Sequence, residues 1–157
     1  MAYAIGADEF KLFELVPRPG VTLSPGDKVY IGKEMEKRDK ILHVRRRLGY
    51  EELTSTAQAE LPHVLEQIVL DTQERFVRFF NEAEAITTRL HTLELLPGLG
   101  KKSMWSIIEE RKKKKFESLD DVQKRVMTLH HPAKIIAKRI VDELSDREQK
   151  YRLFVAK

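Results

Sequence analysis

The sequence predicts an α+β protein: a small N-terminal antiparallel β-barrel followed by a helical domain. Three observations predict it. Five of the seven glycines and three of the six prolines fall within residues 1–50, among short apolar stretches that often alternate with polar residues. No glycine occurs between Gly49 and Gly98, where apolar residues recur at three- and four-residue steps instead. Between two such periodic segments stands Leu95-Leu96-Pro97-Gly98-Leu99-Gly100-Lys101-Lys102. The expected organisation is a barrel over 1–50, an acidic helical spacer over 51–89 and a helical domain over 90–157.

Four strands are expected in the first part: Tyr3-Ala4-Ile5, Lys11 to Val16, Asp27 to Ile31, and Ile41 to Val44. Pro17-Arg18-Pro19-Gly20 and Ser24-Pro25-Gly26-Asp27 read as turns, and Glu34 to Lys40 as a charged hairpin tip. So few short strands cannot build a large sandwich, and closing them into a barrel removes exposed edges.

Helical periodicity starts after Tyr50. Pro62 suits a first helical turn, and Leu65, Ile68, Val69, Phe76, Phe79, Phe80 and Ala83 predict one long amphipathic helix over about residues 58–83. The spacing assigns the phenylalanines to the core. A shorter helix through Ile86, Leu90, Leu93 and Leu96 is expected to lead into the hairpin. A second helix leaves it over Lys101 to Lys113, burying Met104, Trp105, Ile107 and Ile108 and ending in Lys112-Lys113-Lys114-Lys115. Ser118-Leu119-Asp120-Asp121 is an N-cap signature for a helix through Val122 and Val126, and Pro132 opens another with Ile136, Ile140, Val141 and Leu144 as its stripe. Residues 118–144 thus repeat the plan of residues 90–112, and two such units bury a shared core better than one. Leu153-Phe154-Val155 hints that the last segment packs back, as a strand edge.

The Pro-Gly-Leu-Gly turn carries the chemistry. Glycines at 98 and 100 permit positive φ and leave no Cβ in the way of an approaching phosphate. The first amides of the next helix lack intrahelical acceptors and lie at the positive end of its dipole. Lys101 and Lys102 add full charges, while Leu96 and Leu99 plug the hairpin into its helices. This is the pattern of a helix-hairpin-helix, which holds a nucleic-acid backbone. Pro97, Gly98, Leu99, Gly100, Lys101 and Lys102 are therefore the first candidate contacts. Lys134 and Lys138 follow from the second hairpin, Leu129-His130-His131-Pro132-Ala133-Lys134, which lacks Gly-x-Gly. Arg45 and Arg47 complete the set, since strand alternation puts them on one face of the barrel and Arg46 on the other.

Composition narrows the function. The 157 residues carry a net charge of +4, spread as +3 over 1–50, −5 over 51–89 and +6 over 90–157. A basic end with a phosphate-binding turn suggests a polyanionic partner. Cysteine is absent, which excludes disulfides, thiol nucleophiles and zinc-thiolate sites and fits a reducing interior. No apolar run approaches a bilayer span, and the first residues lack the layout of a secretory leader, so a cytoplasmic protein with no membrane association is expected. His130-His131 is the one histidine cluster, without a third ligand at metal spacing, and no nucleophile elbow, phosphate loop or dinucleotide fingerprint occurs. No metal, cofactor or catalytic residue is expected.

Residues 90–144 resemble a tandem helix-hairpin-helix domain of the competence-protein and excision-nuclease type, with Phe116 to Val122 as the connector between hairpins. The whole chain also resembles an archaeal family, domain of unknown function 655, regarded as RNA-binding. The resemblance rests on Glu14-Leu15-Val16-Pro17-Arg18, on Gly26 to Gly32, and on Leu95 to Lys102. It implies an OB- or S1-like barrel ahead of the tandem hairpins, and RNA as the ligand. The expected function is non-catalytic binding of a nucleic-acid backbone, with RNA favoured over DNA. Three alternatives stand beside it: a duplex-DNA-binding protein of repair or recombination type, a protein-interaction scaffold, and an enzyme subunit whose catalytic partner lies on another chain.

Overall fold

Three of the four expected strands form, the last of them running on from Val44 to Leu48. In the computed structural model, which describes residues 1–156, β1 (Ala2–Ile5) pairs antiparallel with β2 (Leu12–Pro17), and β2 with β3 (Ile41–Leu48). Among the described residues these three strands form one open sheet in the order β1-β2-β3. Five α-helices follow: α1 (Ser55–Asp71), α2 (Gln73–Glu82), α3 (Lys101–Lys113), α4 (Leu119–Arg125) and α5 (Pro132–Ser145). The protein is therefore mixed α+β. It divides into two units, one of residues 1–64 with the chain from Ile140 on, the other Leu65–Arg139.

In the first unit the expected strand over Asp27 to Ile31 does not form. Residues 18–40 are instead one long connection between neighbouring strands. Its carbonyls are taken by arginines rather than by a ladder: Arg38 donates to Gly32 O at 2.9 Å and Ile31 O at 3.0 Å, and Arg18 Nε donates to Arg38 O at 2.7 Å. The charged tip closes as a short 3-10 turn, Met35–Lys37. Phe10, Leu12, Leu15, Ile41 and Leu48 are buried beneath the sheet with Leu53, Leu61, Phe154 and Val155 in the unit's core. The terminal segment does pack back, but not as a strand. The fully buried Glu143 carboxylate accepts the amides of Leu153, Phe154 and Val155 at 2.9–3.1 Å, which occupies the groups a ladder would use.

The long helix expected over 58–83 is two helices. Thr72, with φ −126° and ψ 43°, separates them. Its hydroxyl donates to Ile68 O at 2.6 Å, a local bond that competes with helix propagation. Pro62 does not open α1 but lies inside it. The start is set by Thr54, whose hydroxyl accepts the Ala57 amide at 3.2 Å. In α2, Phe76 and Phe80 are buried together with Val77, as the spacing requires, whereas Phe79, also expected in the core, is half-buried.

The helix expected through Ile86 to Leu96 is also different. Residues 85–91 form a turn closed by an Ala85–His91 bridge, and only a 3-10 helix, Thr92–Leu95, precedes the hairpin. Thr87 and Thr92 explain this. The Thr87 hydroxyl accepts the amides of Arg89 and Leu90, and the Thr92 hydroxyl donates to Glu84 O at 2.6 Å. The helices α3, α4 and α5 stand where the sequence places them. Ser118 Oγ accepts the Asp121 amide at 2.9 Å as the N-cap of α4. Met104, Ile107, Ile108, Leu119, Val122, Val126, Leu129 and Ile136 fill the core of this unit together with Leu93, Leu96 and Leu99. Among the described residues no helix is long and apolar enough to cross a membrane.

Candidate nucleic-acid interface

Leu96-Pro97-Gly98-Leu99 is a tight turn. Leu99 N donates to Leu96 O at 3.2 Å, and Gly98 has φ +78°. Proline at the second position and a positive-φ glycine at the third are the residues of a type II turn. Leu96 and Leu99 are buried, so the turn is plugged into the core while Gly98 and Gly100 lie exposed.

Gly100 differs from Gly98 in its reason for being glycine. It is the N-cap of α3, with φ −90° and ψ −177°, a backbone any residue adopts, and no side chain caps the helix there. A Cβ at position 100 would meet no atom within 4 Å. The fold has no need of glycine at this position. What its absence of side chain provides is a bare approach to the first amides of α3, which have no acceptor within the helix.

The two lysines behave differently. Lys101 Nζ donates to Glu94 Oε1 and to Arg89 O, both at 2.9 Å. It thereby ties the start of α3 to the 3-10 helix, and the bond holds the Glu94 carboxyl below the usual carboxylate range, with the His91 amide contributing next. Lys102 is exposed, and among the described residues it has no ion pair. His91 caps the 3-10 helix: its Nδ1 accepts the Leu93 amide at 3.0 Å while its own amide donates to Glu94 Oε1 at 2.9 Å. An accepting nitrogen carries no proton, and the surroundings favour that form: burial lowers the imidazole's pKa, and the Arg111 charge lowers it further. From below, the buried Arg139 of α5 donates to Leu95 O at 3.1 Å.

The second hairpin closes the same way, Leu129 N to Val126 O at 3.0 Å, but its positive φ has moved to His131, at +53°. The His131 amide donates to Gln123 Oε1 at 3.0 Å. The hairpins are stitched by Ser103 Oγ and Thr128 Oγ1, 2.6 Å apart. Lys134 and Lys138 are exposed and four residues apart on α5, hence on one face.

On the sheet, a bulge opposite Glu14/Leu15 changes the expected arginine geometry. Glu14 faces Arg46 and Leu15 faces Val44, so Arg45 is the extra residue. Alternation breaks there, and Arg45 and Arg46 both reach the nearly buried Glu14 carboxylate, at 3.5 Å and 3.0 Å. Arg46 also pairs with Glu52. Arg47 is exposed.

Three features of this region escape the sequence reading. Arg125 covers the C-terminal end of α3, donating to Lys114 O at 2.7 Å and stacking over Phe116 at 4.5 Å. Asn81 grips the connector through both Phe116 N (2.8 Å) and Phe116 O (3.0 Å). Trp105, expected in the buried face of α3, is 57% exposed. Its angle on the helix is the signal that could have placed it. At 100° per residue it sits well off the centre of the face made by Met104, Ile107 and Ile108.

The architecture is that of an α+β protein with a small open antiparallel sheet and five α-helices among the described residues, and an exposed turn that leads into Lys101 and Lys102. The family described as protein of unknown function (DUF655) matches residues 1–156, and the chain belongs to it. It is 55% identical over 152 residues to an uncharacterized protein of Methanocaldococcus jannaschii, covering 96% of this chain and 68% of that protein. It also superposes on the crystal structure of a DUF655 protein from Archaeoglobus fulgidus with a TM-score of 0.91 at 47% identity, covering 99% of this chain and 85% of that one.

Proposed function

We propose that this protein binds RNA without catalysis, holding a phosphate of the backbone at the turn Pro97–Lys102. The observation that carries the reading is Gly100: a glycine with ordinary φ and open space around it, at the uncapped start of a helix flanked by an exposed lysine. In this reading the amides that open α3 and the Lys102 ammonium hold the phosphate, Gly98 shapes the turn, and Lys101 positions it through Glu94. Lys134 and Lys138 make outer contacts, as do Arg47 and Arg45. The finer view of the fold belongs with it: Leu96–Lys101 and Val126–Pro132 as tandem helix-hairpin-helix turns, and the N-terminal sheet as an OB- or S1-like module. Contacts of this kind position the protein and read no sequence.

Gly100→Asp tests it. Aspartate is a better N-cap than glycine and complements the dipole, so the variant folds with unchanged or slightly raised stability. It also places a carboxylate where the phosphate would lie. Retention of single-stranded RNA, duplex RNA and duplex DNA is measured across a salt titration. The expected result is salt-dependent RNA binding by the natural chain and its loss in Gly100→Asp. Unchanged binding by the variant removes the hairpin from the interface. Preference for duplex DNA points to the repair-type alternative, and no retention at low salt to a protein-docking role.

A further inference from the structure

We infer that Trp105 is a stacking platform for one unpaired base adjacent to the phosphate at the hairpin, so that the ligand is RNA in single-stranded or loop form. The inference rests on the nucleic-acid reading above and adds to it the kind of strand that is recognised.

Trp105 is the only tryptophan of the chain. Its neighbours Met104, Ile107 and Ile108 are 3%, 0% and 9% exposed, whereas the indole, the largest apolar side chain available to α3, is left 57% exposed. A single exposed apolar residue is ordinary on a protein surface; here its surroundings make the difference. Lys101 and Lys102 lie four and three residues before it, whereas the exposed Glu109 lies four after and Lys112 seven, so the cationic side of the indole is the one toward the turn. Among the described residues no ring or cation of the protein stacks on it. Side chains on a helix lean back toward its N-terminus, which for Trp105 is the turn carrying Lys101, Lys102 and the bare amides. One helical turn, ~5.4 Å, thus separates a flat apolar surface from an anion site. A nucleotide presents that pair of groups, a charged phosphate and a flat base joined through a sugar.

The geometry also selects among nucleic acids. In an RNA duplex the bases are stacked on one another and offer no face, whereas unpaired bases are free to stack on aromatic side chains. Stacking of this kind tolerates any base, consistent with a backbone grip that reads no sequence.

The test uses the full chain, whose tryptophan emission reports on Trp105 alone, and three probes: an oligouridylate, an abasic strand with the same number of phosphates, and an RNA duplex. Binding is followed by anisotropy of the labelled probe, and stacking by quenching of the emission. Quenching is expected with oligouridylate and not with the abasic strand or the duplex. Trp105→Ala is expected to weaken oligouridylate binding about tenfold and to leave the abasic strand unaffected, while Trp105→Phe restores most of the loss. Binding of oligouridylate without quenching, or an equal loss on the abasic strand in Trp105→Ala, overturns the stacking role and leaves the hairpin reading intact. Absence of binding by every probe at low salt overturns both.

Discussion

The two hairpins of the helical unit close with the same bond and differ in where they spend conformational freedom. In the first, the amide of Leu99 returns to Leu96 and the positive φ sits on Gly98; in the second, Leu129 returns to Val126 and the positive φ sits on His131, at the mouth of α5. The first leaves its helix start bare at Gly100. The second carries the exposed His130 and His131 at the equivalent place and satisfies the His131 amide with Gln123. Both bury a leucine, Leu99 and Leu129, to anchor the turn. The packing role is therefore duplicated and the bare helix start is not, so stability and the proposed ligand binding can be separated by comparing matched positions.

The largest effects should be shared. Leu99→Ala and Leu129→Ala each remove a buried plug and should cost about 2–5 kcal/mol in denaturant unfolding. A difference of several kcal/mol between them would mean that only one hairpin is structural. Substitution at the positive-φ residues should break the symmetry. Gly98→Val forces a β-branched residue into the left-handed region and should cost about 1–3 kcal/mol, whereas His131→Gly relieves strain and should change stability by no more than about 1 kcal/mol, toward greater stability. Loss of stability in His131→Gly would show that its imidazole contributes contacts beyond the backbone.

Charge removal should separate the hairpins in binding rather than in folding. Lys102→Ala is expected to lower the salt dependence of RNA binding by about one phosphate's worth, and Lys134→Ala by less, read from the slope of affinity against salt. Equal slopes for the two variants would make the second hairpin a full partner in the interface.

The smallest expected effect concerns pH. His91 has a folded pKa below the ordinary imidazole value of 6.5, through burial first and the Arg111 charge second. The folded protein then binds fewer protons than the unfolded chain, so its contribution to stability is present above that value and is lost as pH falls through it. Thermal unfolding of the natural chain should shift downward on acidification below about pH 6.5, where carboxylates still ionise, and the shift should shrink in His91→Asn, which keeps a capping acceptor without the titration. An unchanged shift in that variant would assign the acid sensitivity elsewhere.

Local chemistry made much of this structure readable. Ser118 and Pro132 mark helix starts, and the phenylalanine spacing of α2 marks a core face, because caps and periodicity act within one or two turns of chain. Some expectations failed for local reasons, through the hydroxyl bonds of Thr72 and Thr87; the others depend on partners distant in sequence. At the end of the strand expected over 27–31, Arg38 takes the carbonyls of Ile31 and Gly32, and the two-residue arginine alternation on β3 is broken by a bulge that only the pairing with β2 defines. The candidate site divides the same way. Pro97 to Lys102 was legible as a turn and a helix start, and the exposure of Trp105 was legible in its helical angle, whereas the tie of Lys101 to Glu94 and the support of Leu95 by Arg139 were not.

By itself, then, the sequence determined the α+β class, the boundaries of α3 to α5 and the turn at Gly98, since propensity, capping and backbone sterics are properties of neighbouring residues. The tertiary structure alone decided which strands pair, where the bulge falls on β3 and which of two adjacent lysines is tied to Glu94. Each of those outcomes is a competition for one hydrogen bond or one buried face among groups that the chain brings together only on folding.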